Sequence, residues 1–205
     1  MKPVAKAVVF DVGNVLYDWN PRFLYERLTP PGPALDAFLR DVATKDWHFQ
    51  HDAGRPFAET SAELSATHPD HADLIAQWGP RFTEQLGDML PDMRDLVLEL
   101  DTVGVPLYAI TNFSGEFWPP FRAREADLFD RFKGIVVSGD ELLTKPDPAI
   151  YRLALDRFAL GAPDCVFVDD RADNVAGAQN VGMEAVLFTD ATALRGDFAR
   201  LGVLG

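Results

Sequence analysis

Asp11 stands directly after the apolar run Val8-Val9-Phe10. A carboxylate at the end of a buried segment is costly unless it is paired, bound to a metal or used as a nucleophile. Thr111 and Asn112 close the run Val105 to Ile110 and bring a hydroxyl and an amide suited to a phosphoryl oxygen. Asp169 and Asp170 follow Val166-Phe167-Val168 and offer the hard oxygen ligands that hold Mg2+. Lys145, just ahead of Pro146, adds a point positive charge. Taken singly these are ordinary features: a lone Asp after a strand is commonly a turn residue, and an Asp pair commonly opens a helix. Their order, and their shared position after apolar runs, give the composition of a phosphate-handling site.

The apolar runs are short and show no alternation, the pattern of strands buried on both faces of a parallel sheet. Ile135-Val136-Val137, followed by Ser138-Gly139, and Val186-Leu187-Phe188 extend the set to five. Helical spacing fills the gaps: Met93 to Leu100 before Gly104, Pro148 to Phe158 before Gly161, and Asn174 to Val181 before Gly182. This alternation predicts an α/β fold with a doubly wound parallel sheet. Right-handed crossovers then carry the C-terminal strand ends to one edge, where ligands bind. Residues 17–89 carry no buried-strand pattern, but show helical patterning at Phe57 to Leu64 and Leu74 to Leu86. The expected division is a catalytic core of residues 1–16 and 90–205, with a helical cap of residues 17–89 inserted after the first strand. Tyr17–Asn20 and Gly87–Met89 are the expected hinges of a cap that closes over substrate.

Composition sets limits on partners. With 32 acidic and 19 basic residues the formal net charge is −13, which argues against nucleic acid or an anionic membrane as partner. A small anionic substrate remains compatible, because one bound cation inverts the local field. Hydrophobic residues make up 47 % of the 205-residue chain, enough for a packed core. The single cysteine, Cys165, lies in the apolar run Cys-Val-Phe-Val and reads as a buried structural thiol. The absence of a possible internal disulfide, of a leader pattern and of any run near the ~20 apolar residues of a membrane span leads to a cytoplasmic expectation. Monomer and homodimer both fit.

Four segments carry a family resemblance. FDVGNVL at 10–16, ITN at 110–112, KPDPAIY at 145–151 and VDDRADNVAGAQNVGM at 168–183 resemble the four motifs of the haloacid dehalogenase superfamily, in its branch with a small helical cap and an FDxGNVL first motif. The resemblance implies that Asp11 attacks the substrate and forms an aspartyl intermediate. It implies that Thr111, Asn112 and Asn14 bind the transferring group, and that Lys145 neutralises Asp11 and the substrate oxygens. Asp170 is then the principal Mg2+ ligand, with Asp169 beside it, Asp11 and the Gly13 carbonyl contributing, and Asn174 supporting the loop. The expected activity is a magnesium-dependent phosphohydrolase acting on a small phosphate ester, such as a sugar phosphate or another activated ester.

Gly13 departs from the pattern, because most phosphatases of the superfamily carry an acid–base Asp there. General acid–base catalysis contributes about 10²–10⁴-fold, so Gly13 points to a preference for activated esters, with Asp18 as a possible substitute acid or base. Two rivals follow. One is a metal-independent 2-haloacid dehalogenase, which also lacks that Asp; against it, the adjacent carboxylates Asp169 and Asp170 would repel a carboxylate substrate. The other is a catalytically weak fold that binds a ligand or protein. His48, His51, His68 and His71 read as surface histidines. Most aromatics of the insertion, among them Trp47, Phe49, Phe57, Trp78 and Phe82, read as cap core, with one or two lining the substrate cavity, and Trp118 is expected at the same crevice.

Overall fold

The computed structural model describes residues 6–204. Its strands are β1 (Ala7–Phe10), β2 (Tyr17–Trp19), β3 (Leu86–Met89), β4 (Leu107–Thr111), β5 (Gly134–Val137), β6 (Cys165–Asp169) and β7 (Glu184–Leu187). Five of them form one parallel sheet in the order β5-β4-β1-β6-β7. The five apolar runs are therefore the five strands of the sheet, and β1 lies at its centre.

Both faces of that sheet are covered. Val8 and Phe10 of β1 pack in one apolar cluster with Leu96, Leu100 and Phe198, from the helices Met93–Thr102 and Ala191–Leu201. Val9 points the other way, into a cluster with Ile150, Tyr151 and Phe158 of the helix Pro148–Phe158. Successive strand residues face opposite sides, so a run such as Val-Val-Phe must be apolar throughout. Cys165 opens β6 fully buried, and burial pushes its thiol up to about 12, as befits an inert packing residue.

Two features of residues 17–89 differ from expectation. The stretch from Leu74 to Leu86 is not one helix: a short helix, Ala72–Ile75, gives way to turns and a 3-10 turn at Phe82–Gln85. The helix ends at Ile75, and Gly79-Pro80 lies in the turns that follow, where a Cβ on Gly79 would lie 2.7 Å from the Phe57 ring. The expected hinges are themselves strands. β2 and β3 pair antiparallel, Tyr17 opposite Met89 and Trp19 opposite Leu86, so the chain leaves the sheet edge and returns to it through one two-stranded ribbon.

Between the ribbon strands, the helix Lys45–Asp52 matters most for the site. Thr44 caps it, accepting a hydrogen bond from the Trp47 N–H at 3.1 Å. Its last residue is tied to the sheet edge: the buried Ser138 hydroxyl, just after β5, donates to the Asp52 carbonyl at 2.5 Å and accepts from the Phe113 N–H at 2.9 Å. Trp47 and Trp78 are buried and join the same apolar cluster as the sheet. No helix among the described residues is long and apolar enough to cross a membrane.

Candidate active site

The C-terminal ends of β1, β4 and β6 deliver Asp11, Thr111 with Asn112, and Asp169 with Asp170 to the same edge. Lys145 enters from the loop before the helix Pro148–Phe158. Its ammonium is wholly buried and lies 2.9 Å from Asp11 Oδ1 and 2.7 Å from Asp169 Oδ2. Asp169 is a second anchor. Its Oδ1 accepts from the Arg171 N–H at 2.9 Å, and the Asn174 amide donates to Oδ1 and Oδ2 at 2.9 and 3.1 Å. Tyr151 in turn donates to the Asn174 carbonyl at 2.8 Å. The helix Ala172–Asn180 comes so close to the Lys145-Pro146 turn that a Cβ on Gly177 would sit 2.7 Å from the Pro146 carbonyl oxygen. Only glycine allows that approach.

One oxygen each from Asp11, Asp169 and Asp170 falls within 4.8 Å of the others. With both Asp169 oxygens engaged, the carboxylates open to a ligand are Asp11 and Asp170. Three close carboxylates against one ammonium leave a deficit of positive charge. Burial, opposed by Lys145 and reinforced by Asp169, pushes the Asp11 carboxyl up to about 7. Burial and Asp169 likewise raise Asp170. For Lys145, burial works against the charged form, but Asp11 and Asp169 outweigh it and hold the ammonium above its ordinary value. This donor set fits a divalent cation: hard oxygens, surplus negative charge, and an oxygen left open on Asp11 beyond the Oδ1 that Lys145 and the Val12 N–H occupy.

Other site residues hold different posts from those expected. The Asn112 side chain is taken up by the backbone of Lys145, donating to its carbonyl at 3.0 Å and accepting from its N–H at 2.8 Å. It fixes the lysine rather than offering its amide to a ligand. The Thr111 hydroxyl is buried with no partner, and Thr111 is absent from the lining of the cavity over Asp11. Asn14 adopts a left-handed backbone, φ 57°, and its side-chain Oδ1 accepts from the Trp19 N–H, shaping the turn into the ribbon. Asp18 is separated from the set. It does not line the cavity over Asp11 but opens onto another groove, with Tyr17, Glu26 and Arg94, because Trp19 on the opposite face of β2 takes the cavity side.

That cavity encloses about 490 Å³. Asp11, Gly13, Lys145 and Asp170 form its floor, and Trp19, Phe49, Phe82 and Phe113 supply its aromatic walls. Trp118 is absent from the lining and packs instead against Phe113, Phe121 and Phe129 in the interior. Two histidines also depart from the surface reading. His48 and His51 are buried, His48 stacked between Trp19 and Phe82, and His51 bonded to Thr60 Oγ1 at 2.6 Å. Burial drives them down to about 3 and about 4 respectively, so both are neutral at physiological pH.

Of the cavity residues that sequence reasoning missed, one is a buried carboxyl. Asp52, 6 % exposed, lines the cavity from the end of the helix Lys45–Asp52. Burial, reinforced by Asp11 and opposed by Lys145, pushes its carboxyl up to about 8. A signal was present in His48-x-x-x-Asp52, whose spacing puts both side chains on one helix face.

Comparison with known proteins places this geometry in a family. The haloacid dehalogenase-like hydrolase family matches residues 5–182. The chain is 32 % identical over 198 residues to the sesquiterpene phosphatase astK of Aspergillus oryzae, covering 92 % of each protein. It is 26 % identical to the ribulose-1,5-bisphosphate 5-phosphatase of Halopiger xanaduensis, covering 90 % of this chain and 85 % of that one. Among solved structures, a family enzyme of Bacteroides thetaiotaomicron in complex with magnesium and inorganic phosphate superposes with a TM-score of 0.72 at 18 % identity, covering 93 % of this chain and 99 % of that one. The L-2-haloacid dehalogenase of Xanthobacter autotrophicus superposes with a TM-score of 0.64 at 20 % identity, covering 98 % and 85 %. At these identities the two structures share the fold. The chain is a haloacid dehalogenase-like hydrolase.

Proposed function

We propose that this enzyme is a magnesium-dependent phosphohydrolase that cleaves a small phosphate ester through an aspartyl-phosphate on Asp11. The observation that carries the reading is the carboxylate triad, Asp11, Asp169 and Asp170 within 4.8 Å, with Lys145 as its buried ion-pair partner. Asp11, Asp170 and the Gly13 carbonyl would hold Mg2+, which when bound neutralises phosphoryl oxygens and lowers the charge barrier to attack. Lys145 steers Asp11 and meets the same oxygens. Asp169 and Asn174 keep the ammonium in place, and Asn112 fixes the backbone that bears it.

Residues 17–89 act as a cap that sets the substrate. Its Trp19, Phe49 and Phe82 suit a leaving group with an apolar or stackable face, which admits aryl, prenyl and sugar phosphates. The phosphatase relatives point the same way. A 2-haloacid would bring its own carboxylate and release halide beside three carboxylates, so the dehalogenase reading lacks the charge complement it needs. The test is a panel of aryl, sugar, prenyl and alkyl phosphates with magnesium and with chelator, alongside chloride release from 2-haloacids. Magnesium-dependent phosphate release is the expected result. Chloride release that persists in chelator would replace this reading with the rival.

A further inference from the structure

We propose that Asp52 is the acid–base residue of this site, donating a proton to the departing ester oxygen and recovering one from the hydrolytic water. The assignment rests on the phosphohydrolase reading and deepens it. Asp52 lines the same cavity as Asp11, Lys145 and Asp170, but from the wall built by the helix Lys45–Asp52. Its Oδ1 is buried and has no hydrogen-bond partner, and its Oδ2 lies 3.5 Å from Nε2 of the neutral His48. An unpaired buried carboxyl oxygen is costly, and a ligand hydroxyl or ester oxygen in the cavity would relieve it. The position is well fixed, because the Ser138 hydroxyl holds the Asp52 carbonyl at 2.5 Å.

The other groups around the cavity are spoken for. Asp11 is the nucleophile and Asp170 the open metal carboxylate. Lys145 is held by two carboxylates, and the Arg171 guanidinium is paired with Asp173. Lys45 and Asp46 are exposed at the rim, His48 is held neutral by burial, and Gly13 has no side chain. Asp52 alone combines a titratable proton, burial within the cavity and a free oxygen. In the first step an Asp11 oxygen bonds to phosphorus while the bond from phosphorus to the leaving oxygen breaks. The electron pair stays on that oxygen, which takes the Asp52 proton and departs as the alcohol. In the second step water attacks phosphorus, its proton passes to the Asp52 carboxylate, and Asp11 is released with inorganic phosphate.

The proton matters only when the leaving oxygen is basic, so leaving-group dependence is the readout. In magnesium, Asp52→Asn should lower kcat/KM for an alkyl phosphate by about 10²–10⁴-fold, while an aryl phosphate with a well-stabilised leaving group changes by only about a few-fold. Gly13 lines the same cavity, and a Cβ there meets only Trp19 Cβ, at 4.0 Å. Gly13→Asp in the Asp52→Asn background should therefore restore part of the alkyl rate. Asp52→Ala, judged by the same ratio in protein that melts as wild type does, guards against a folding defect in the first variant. Equal losses on both esters, or none on either, would overturn the assignment while leaving the phosphohydrolase reading intact. A wild type that releases no phosphate from either ester would overturn both.

Discussion

Lys145 is the buried cation of the site, ion-paired with both Asp11 and Asp169. Removing one partner of a buried pair costs about 3–5 kcal/mol, because the opposite charges stay behind. Lys145→Met should therefore lower thermal stability clearly in a melting experiment. Asp52 gives a second prediction at this scale. Its folded carboxyl, at about 8, binds a proton that the unfolded chain releases near 3.8, so it imposes a penalty on folding that grows as pH rises through that window and is absent below it. Asp52→Asn should gain stability relative to wild type between pH 5 and pH 8; a melting-temperature difference constant over that range would refute this. Asp11, Asp169 and Asp170 stood out in the sequence because each ends or follows an apolar run in the sheet, and Lys145, in the loop before the helix Pro148–Phe158, stood out only as part of the KPDPAIY motif. Asp52 did not, since helical patterning in the insertion does not reveal which face meets the sheet edge. His48 and His51 were misjudged for the same reason, and Asp18 because a ribbon strand aims successive residues to opposite faces.

Ser138 is one of the points at which residues 17–89 are joined to the sheet beside the site. Its hydroxyl bridges the Asp52 carbonyl and the Phe113 N–H across 86 and 25 residues of sequence. Ser138→Ala leaves two buried backbone groups unsatisfied, at a cost of about 1–3 kcal/mol. It should raise KM for the preferred ester, because the helix Lys45–Asp52 loses its tether while Asp11 and Lys145 keep their contacts. An unchanged KM measured in folded protein would contradict that role. The five sheet strands were legible because burial on both faces forces uninterrupted apolar runs. The ribbon was not: three- and four-residue strands containing Asp18 and Asp88 carry no such run, and only their pairing makes them strands. The overlong helix from Leu74 came from reading periodicity through Gly79-Pro80.

At the scale of the molecule, the order β5-β4-β1-β6-β7 puts β1 between β4 and β6 and so gathers chain segments over 150 residues apart at one sheet edge. The sequence implied that convergence through the rule for doubly wound sheets, but it did not imply how the cap helices pack into the same apolar cluster as the sheet. A cation bound only by the folded chain stabilises it by mass action. Magnesium should therefore raise the melting temperature of wild type, with chelator reversing the gain and Asp170→Asn abolishing it. A shift of equal size in Asp170→Asn would place the ion elsewhere.

The most direct test of the central claim compares inorganic phosphate release by wild type and Asp11→Asn, in magnesium, on the best ester of the panel. Release by wild type that falls to background in a folded Asp11→Asn protein is the predicted result. Phosphate release at the wild-type rate from Asp11→Asn would show that Asp11 is not the nucleophile and would contradict the account.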